Sequence, residues 1–345
     1  MAERLRVAVI QGGRSSEHEI SLASARSVIE ALDPERYDVR SIDIRRDGRW
    51  ELSPGAGQAQ LDEGKEREAG LPVPVATNGA LEPLGDIDVV FPVLHGPFGE
   101  DGTVQGLLEL AGVAYVGAGV AASAVCMDKD LFKAVMRAKN IPVVPSVTVR
   151  RWDRTVAESP FGFPVVVKPA RLGSSVGISI AADRKEFERA LELAFDHDEK
   201  ILIEEYIGGV EVECSVLGNE EPIASIPGEI VPLVSDWYDY SAKYDEGGMD
   251  LVVPPRIAEA AIARVQELSV ASFIASECEG MARVDFFVRD DSEVLVNELN
   301  TIPGFTATSV YAKLFEASGI PYAELLDRLV QLALERHERR RSLEF

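Results

Sequence analysis

Short apolar runs that stop at glycine-rich polar turns, with helical patterns between them, constrain this chain more than any other feature. Residues 5–11 form a compact apolar run ending at Gly12-Gly13, the pattern of a buried strand entering a turn. A helical spacing follows, with Ile20, Ala23, Val28, Ile29 and Leu32 apolar, and residues 38–44 alternate like a second strand. Residues 88–94 read as a further buried strand, 104–111 as a helix and 114–116 as a short strand. Strands alternating with helices in this way predict a parallel sheet covered on both faces. Between them, residues 46–85 dissolve into Gly, Pro, Glu and Gln, which predicts an extended surface insertion with room for one hairpin.

That first α/β domain is expected to span residues 1–122. A second unit, residues 123–209, opens with a helix near 129–139 and continues with strands at 163–168 and 176–180, a helix at 184–195 and a strand at 201–206. The third, residues 210–345, is β-rich at first and passes a polar loop at 235–250. It then carries a helix at 257–276, strands at 282–289 and 293–297, and a final amphipathic helix. Neither an internal repeat nor a heptad array is evident.

Charge and cysteine usage narrow the partners. Lys plus Arg total 35 against 58 Asp plus Glu, a net charge of −23, and the basic residues do not cluster apart from Arg339-Arg340-Arg341. So acidic a chain repels nucleic-acid phosphates and anionic lipid, so neither nucleic acid nor a membrane is expected as a partner. Apolar runs such as 89–94 and 120–127 fall far short of a membrane span, and no signal-peptide core precedes the first strand. Cys126, Cys214 and Cys278 are odd in number and set in apolar surroundings, which reads as reduced core thiols. Together these predict a soluble cytoplasmic protein.

Four segments carry the chemistry. The strand at 163–168 delivers Lys168 to its end, followed at once by Gly173, Ser174, Ser175 and Gly177. Small residues let backbone N–H groups approach phosphate oxygens, and the lysine adds a point charge. The spacing is not that of a P-loop, and a tight hairpin with a solvated Lys168 is the bland alternative. Next, Arg283 and Asp285 lie two apart on one strand, as do Glu298 and Asn300 on the next, so each pair shares a face. Two carboxylates and an amide oxygen at one spot, completed by phosphates and water, suit Mg²⁺. The apolar Val284, Phe286, Val296 and Leu299 between them argue for a packed sheet with a polar site on its other face.

The third segment, residues 12–21, joins a glycine turn to a helix start and could seat an anion or carboxylate. Ser16 or Ser21 could equally cap that helix, and Glu17 or Glu19 could serve its dipole. It lacks dinucleotide-fold glycine spacing. The fourth, residues 95–102, places His95 at the C-terminal end of a strand, where ligands collect in α/β sheets, although a His there could be merely structural.

These segments, GGRSSEHEIS, LHGPFGEDG, VVKPARLGSSVGIS, DYSAKY and NELNTIPGFTATS, together resemble the D-alanine–D-alanine ligases of the ATP-grasp superfamily, in the family's order and over essentially the whole chain. The resemblance implies a three-domain α/β (α+β) fold with a Rossmann-like N-terminal parallel-sheet domain and ATP gripped between the second and third domains. It implies that Lys129 and Lys168 contact the ATP phosphates, and that the hinge residues Glu204, Glu205 and Ile207 meet adenine while Glu211 reaches the ribose. Glu205 stands where many relatives have Lys. By the same resemblance Asp285, Glu298 and Asn300 hold two Mg²⁺ (or Mn²⁺) ions.

Glu17 is implied to hold the ammonium of the first D-alanine, with His95 nearby and Ser174 linking Glu17 to Tyr244. Lys243 and Ser309 would bind the carboxylate of the second D-alanine, and Arg283 with the N–H of Gly304 would face the oxyanion. The implied reaction is ATP-dependent joining of two D-alanines through an acylphosphate, for the peptidoglycan precursor, by a homodimer, with the loop at 235–250 as a lid. Relatives that make the D-alanine–D-lactate ester tend to carry Phe where this chain has Tyr244, which favours an amine nucleophile. A D-alanine–D-lactate or D-alanine–D-serine ligase, or another ATP-grasp ligase, is the alternative within enzymes. A silent nucleotide-binding regulator could have lost Glu298, Asn300 or Arg283, and all three are present.

Overall fold

The computed structural model describes residues 4–53, 86–153, 158–233 and 248–343. Its strands form three sheets that follow one another along the chain. The first comprises β1 (Leu5–Gly12), β2 (Tyr37–Ile44), β3 (Trp50–Ser53), β4 (Val89–Pro92) and β5 (Ala114–Tyr115), in the order β3-β2-β1-β4-β5. All its pairings are parallel except β2–β3, an antiparallel hairpin that occupies the start of the expected insertion. The rest of that insertion, residues 54–85, lies outside the described residues.

Both faces of this sheet are covered, as the alternation predicts. Val7 and Val9 of β1 face α1 (His18–Ala31), while Ala8 and Ile10 share a core with Val104 and Leu108 of α2 (Thr103–Ala111). The Val7 face is completed by the C-terminal part of the chain. Phe305, α7 (Val310–Ala317) and α8 (Tyr322–Arg341) supply Tyr311, Phe315, Leu325 and Leu329 to that core. Helical period identifies an apolar face but not the surface it will meet.

The second sheet is antiparallel, in the order β6 (Ser146–Arg150), β9 (Lys200–Glu205), β7 (Val165–Pro169), β8 (Ser179–Ala181). It is backed by α5 (Arg184–His197), whose Asp183 cap accepts a 2.9 Å hydrogen bond from Glu186 N. β8 begins three residues later than the apolar pattern suggests, because Ser174, Ser175 and Gly177 all have positive φ and keep the chain in a turn.

The third sheet runs β13 (Met249–Val252), β12 (Gly228–Pro232), β10 (Val210–Gly218), β14 (Gly280–Arg289), β15 (Glu293–Asn300), with β11 (Ile223–Ala224) on β10. One face packs on α6 (Glu259–Ala275), α3 (Val120–Met127) and α4 (Lys129–Ala138). The apolar run at 120–127 is thus a buried helix, and among the described residues no helix is long and apolar enough to cross a membrane. The three cysteines are free and buried, with Cys126 and Cys278 Sγ atoms 3.9 Å apart.

Candidate functional site

The second and third sheets face each other across a cleft of about 350 Å³. Strand alternation builds it. On β7, Val166 and Lys168 point into the cleft while Val165 and Val167 join the core. Ile178 and Ile180 line the same wall, and Ile207, Ile230 and Phe287 supply apolar surface opposite. An apolar slot with a few charged groups at one end suits a flat ring carrying phosphates.

The charged end is built from lysines on two elements. Lys168 Nζ is 2.8 Å from Glu204 Oε2 and donates to Asn297 Oδ1 at 3.1 Å. Lys133 Nζ is 2.7 Å from the other Glu204 oxygen. Burial alone would raise the Glu204 pKa, but Lys133 and Lys168 hold it below the usual carboxylate range. At the start of α4, Lys129 Nζ lies 3.1 Å from Glu298 Oε2 and donates to Leu172 O at 2.7 Å. The neighbouring Asp128 caps that helix through Leu131 N at 3.2 Å, which fixes where Lys129 emerges.

On β14 and β15 the register sets Arg283 opposite Asn300 and Asp285 opposite Glu298. Arg283 grips Asp285 with both prongs, Nε to Oδ1 at 2.7 Å and Nη2 to Oδ2 at 2.8 Å, and Asn300 Nδ2 donates to Oδ2 at 2.9 Å. Glu213 on β10 approaches Arg283 Nε at 2.9 Å from the other side. Among the described residues no three His, Cys, Asp or Glu side chains are gathered as a ready metal cage. The set is two carboxylates and the Asn300 amide, whose nitrogen is turned to Asp285. Its oxygen donors nevertheless fit a hard divalent cation, because Asp285 and Glu298 are each balanced by a cation, Arg283 and Lys129, whose place a metal could take.

The third part of the site lies where the first sheet meets the Gly-Ser turn. Glu17, largely buried at the start of α1, accepts a hydrogen bond from Ser174 Oγ. Ser174 and Ser175 sit at φ 52° and 58°, a strained left-handed conformation of the kind stored at functional sites. His95 is 4% exposed and spends both ring nitrogens on the protein: Nδ1 donates to Ile302 O at 3.0 Å, so Nε2 accepts from Ser24 Oγ at 3.2 Å. Burial lowers its pKa, opposed by Glu17. Glu100 accepts from Gly96 N at 2.6 Å and Ile302 N at 3.2 Å. Burial, then Glu17, push its carboxyl up to about 8. Gly304 follows this tethered stretch, and Ser309 Oγ accepts from Thr306 N at 3.0 Å beside it.

Two family models cover most of the chain, described as D-ala D-ala ligase N-terminus over residues 6–118 and D-ala D-ala ligase C-terminus over residues 135–331. This chain belongs to the D-Ala–D-Ala ligase family. A D-alanine–D-alanine ligase of Solibacter usitatus is 48% identical over 99% of each chain. Among solved structures, the D-Ala:D-Ser ligase VanG of Enterococcus faecalis superposes with a TM-score of 0.84 at 37% identity, covering 96% of this chain and 100% of that one. The D-alanine–D-alanine ligase of Bacillus anthracis complexed with ATP gives 0.77 at 29% identity, over 97% and 99%. The mixed α/β fold is accordingly the ATP-grasp fold of these ligases.

Of the residues singled out in the sequence, the ligase fold gathers Lys129, Lys168, Glu204, Glu211, Asp285, Glu298 and Asn300 around one cleft and its rim. Glu17, Ser174, His95 and the 300–309 stretch lie against one another next to it. Ile207 lines the cleft, as does Glu205, which pairs with Arg289 Nη1 at 3.1 Å. Lys243, Tyr244 and most of the expected lid lie outside the described residues. Sequence reasoning passed over Lys133, Glu213 and Asn297. Lys133 is one turn from Lys129, and Glu213 is two residues from Glu211, so helical and strand periods could have found both.

Proposed function

We propose that this chain joins two D-alanines into D-alanyl-D-alanine as ATP is converted to ADP and phosphate, supplying the peptidoglycan precursor. The observation that carries this reading is the hydrogen bond from Ser174 to Glu17. It ties a carboxylate suited to an amino acid's ammonium directly to a turn suited to phosphate, the pairing a ligase that activates an amino acid by phosphorylation requires. The bound Mg²⁺ or Mn²⁺ pair would neutralise charge on the phosphates, held by Asp285, Glu298 and Asn300.

In this reading Ile207, Glu204, Glu205 and Glu211 line the adenosine end and Lys129 and Lys168 hold the phosphates. Glu17 orients the first D-alanine so that its carboxylate oxygen attacks the γ-phosphorus and ADP leaves. The amine of the second D-alanine, its carboxylate held by Lys243 and Ser309, then attacks the acyl carbon. Arg283 and Gly304 N–H donate to the oxyanion, the acyl C–O bond breaks as phosphate leaves with its electron pair, and the amine loses a proton. Tyr244 completes the set with Ser174 and Glu17. His95, with both nitrogens committed, acts by holding the wall between Glu17 and Gly304. We assign residues 1–122, 123–209 and 210–345 to three domains, each carrying one sheet, and propose a cytoplasmic homodimer, a state readable from its mass in solution.

Phosphate release from Mg·ATP tests the assignment, with D-alanine, L-alanine, D-alanine plus D-serine, D-alanine plus D-lactate, or no amino acid. Turnover with D-alanine alone is the expected result. Turnover only with D-serine or D-lactate present would reassign the second substrate, and ATP binding with no D-alanine-dependent turnover would sink the ligase. A narrower check is Gly96→Ala. The residue has φ +73°, and an added Cβ would meet Glu17 Oε2 at 2.7 Å. Strain of about 1–2 kcal/mol is expected in stability. Displacement of Glu17 should raise KM for D-alanine by roughly tenfold, equivalent to about 1.4 kcal/mol. An unchanged KM would separate Glu17 from the amino acid.

A further inference from the structure

Lys133 lies one helical turn beyond Lys129, so the two lysines leave the same face of α4 toward the cleft. Lys129 emerges at the phosphate end. Lys133 is fully buried, its Nζ 2.7 Å from Glu204 Oε1 and donating to Val144 O at 3.3 Å. Glu204, itself 3% exposed, gives its second oxygen to Lys168 at 2.8 Å. A carboxylate is therefore shut between two ammonium groups at the back of the nucleotide cleft. Each of its two oxygens faces one of them.

Burying a lysine is unfavourable unless the charge does something there. One lysine would suffice to balance Glu204. With two, the trio Lys133–Glu204–Lys168 carries a net positive charge, and Lys168 need not surrender its own to Glu204. Were Lys133 absent, Glu204 and Lys168 would close into a neutral pair, and an incoming phosphate would compete with a carboxylate 2.8 Å away. We propose that Lys133 is a positioning residue for the nucleotide, holding one oxygen of Glu204 so that Lys168 keeps its charge for the phosphates. The inference rests on the ATP-dependent reading of the cleft. Burial first, with Lys168 adding and Glu204 opposing, pushes the Lys133 pKa down to about 8. The groups facing its ammonium are Glu204 on β9, Lys168 on β7 and Arg137 on its own helix.

Mg·ADP binding by calorimetry, without D-alanine, tests this on the wild-type chain, Lys133→Met and Lys133→Met/Glu204→Gln. Lys133→Met is expected to weaken ADP at least tenfold at pH 7 while KM for D-alanine moves by less than about threefold. Removing the carboxylate charge in the double variant should restore most of that loss, a coupling that a merely structural lysine would not show. Wild-type affinity should fall as pH rises through about 8, where Lys133 loses its proton, and that fall should be missing from both variants. Unchanged ADP affinity in Lys133→Met, or a double variant no better than the single, would overturn the proposal. Wild-type protein that binds no ADP would instead overturn the nucleotide reading. If Lys133→Met does not fold, Glu204→Gln alone reads the coupling, because its ADP affinity must lose the fall near pH 8.

Discussion

Glu298→Gln is expected to lower D-alanine-dependent turnover by about 10²- to 10³-fold, the several kcal/mol that a positioned cation supplies to phosphoryl transfer. Glu298 faces Asp285 across the β14–β15 pair and meets Lys129 Nζ at 3.1 Å. It thus touches both the proposed metal patch and a proposed phosphate lysine. Glutamine keeps the shape and an oxygen but removes the charge. Half of the anionic donor set goes, and Lys129 is left without its counter-ion. Since the Glu298 side chain keeps 17% exposure, the fold should survive, and the melting temperature should move by no more than a few degrees. The loss should appear in kcat together with a weaker dependence on Mg²⁺ or Mn²⁺, and high metal should restore part of it. Mn²⁺ binding followed by electron paramagnetic resonance gives a readout independent of turnover. If turnover and Mn²⁺ affinity both stay within about threefold of wild type, Glu298 is not a metal ligand.

How much of this was legible in the sequence depends on the range over which each signal acts. Period-2 alternation set Arg283 with Asp285 and Glu298 with Asn300, and the register then brought the pairs together. The same rule fails one residue earlier. Val296 and Leu299 both belong to the core although they differ in parity, which a regular strand cannot satisfy. A shift in register between Asp285 and Phe286 absorbs the extra residue, and Asn297 is the side chain turned to Lys168 as a result. The apolar mismatch between 296 and 299 was visible in the sequence, so the bulge was a readable signal left unread.

Other features were not readable in principle. Helical pattern marked the apolar face of α8, but its burial against Val7 and Val9, more than 300 residues upstream, is a tertiary choice. The resemblance placed His95 near the first D-alanine, but the partners that hold its ring, Ser24 and Ile302, lie 71 and 207 residues away, and no local pattern names them. Glu204 shows the same limit: the hinge strand located it, and only Lys133 and Lys168 decide what its charge does.

Arg283→Met should cost about 10²- to 10³-fold in kcat, the loss associated with one oxyanion donor of about 2.7–4 kcal/mol. Its signature should differ from that of Glu298→Gln, and the reason lies in what Arg283 touches. It grips Asp285 bidentately and lies 2.9 Å from Glu213. Cutting it back to Met therefore releases Asp285, which is then more available to a cation. Metal affinity should hold or improve while turnover collapses, whereas Glu298→Gln should lose both. KM for ATP should change little, because Arg283 is not among the cleft-lining residues that face the nucleotide. Lysine at this position keeps the charge but not the planar fork, so it cannot reach the oxyanion and Glu213 together and should recover only part of the rate. If Arg283→Met weakens Mn²⁺ binding as much as Glu298→Gln does, the arginine supports the metal patch instead of the oxyanion. If turnover stays within about threefold of wild type, the oxyanion rests on Gly304 and its tethered loop alone.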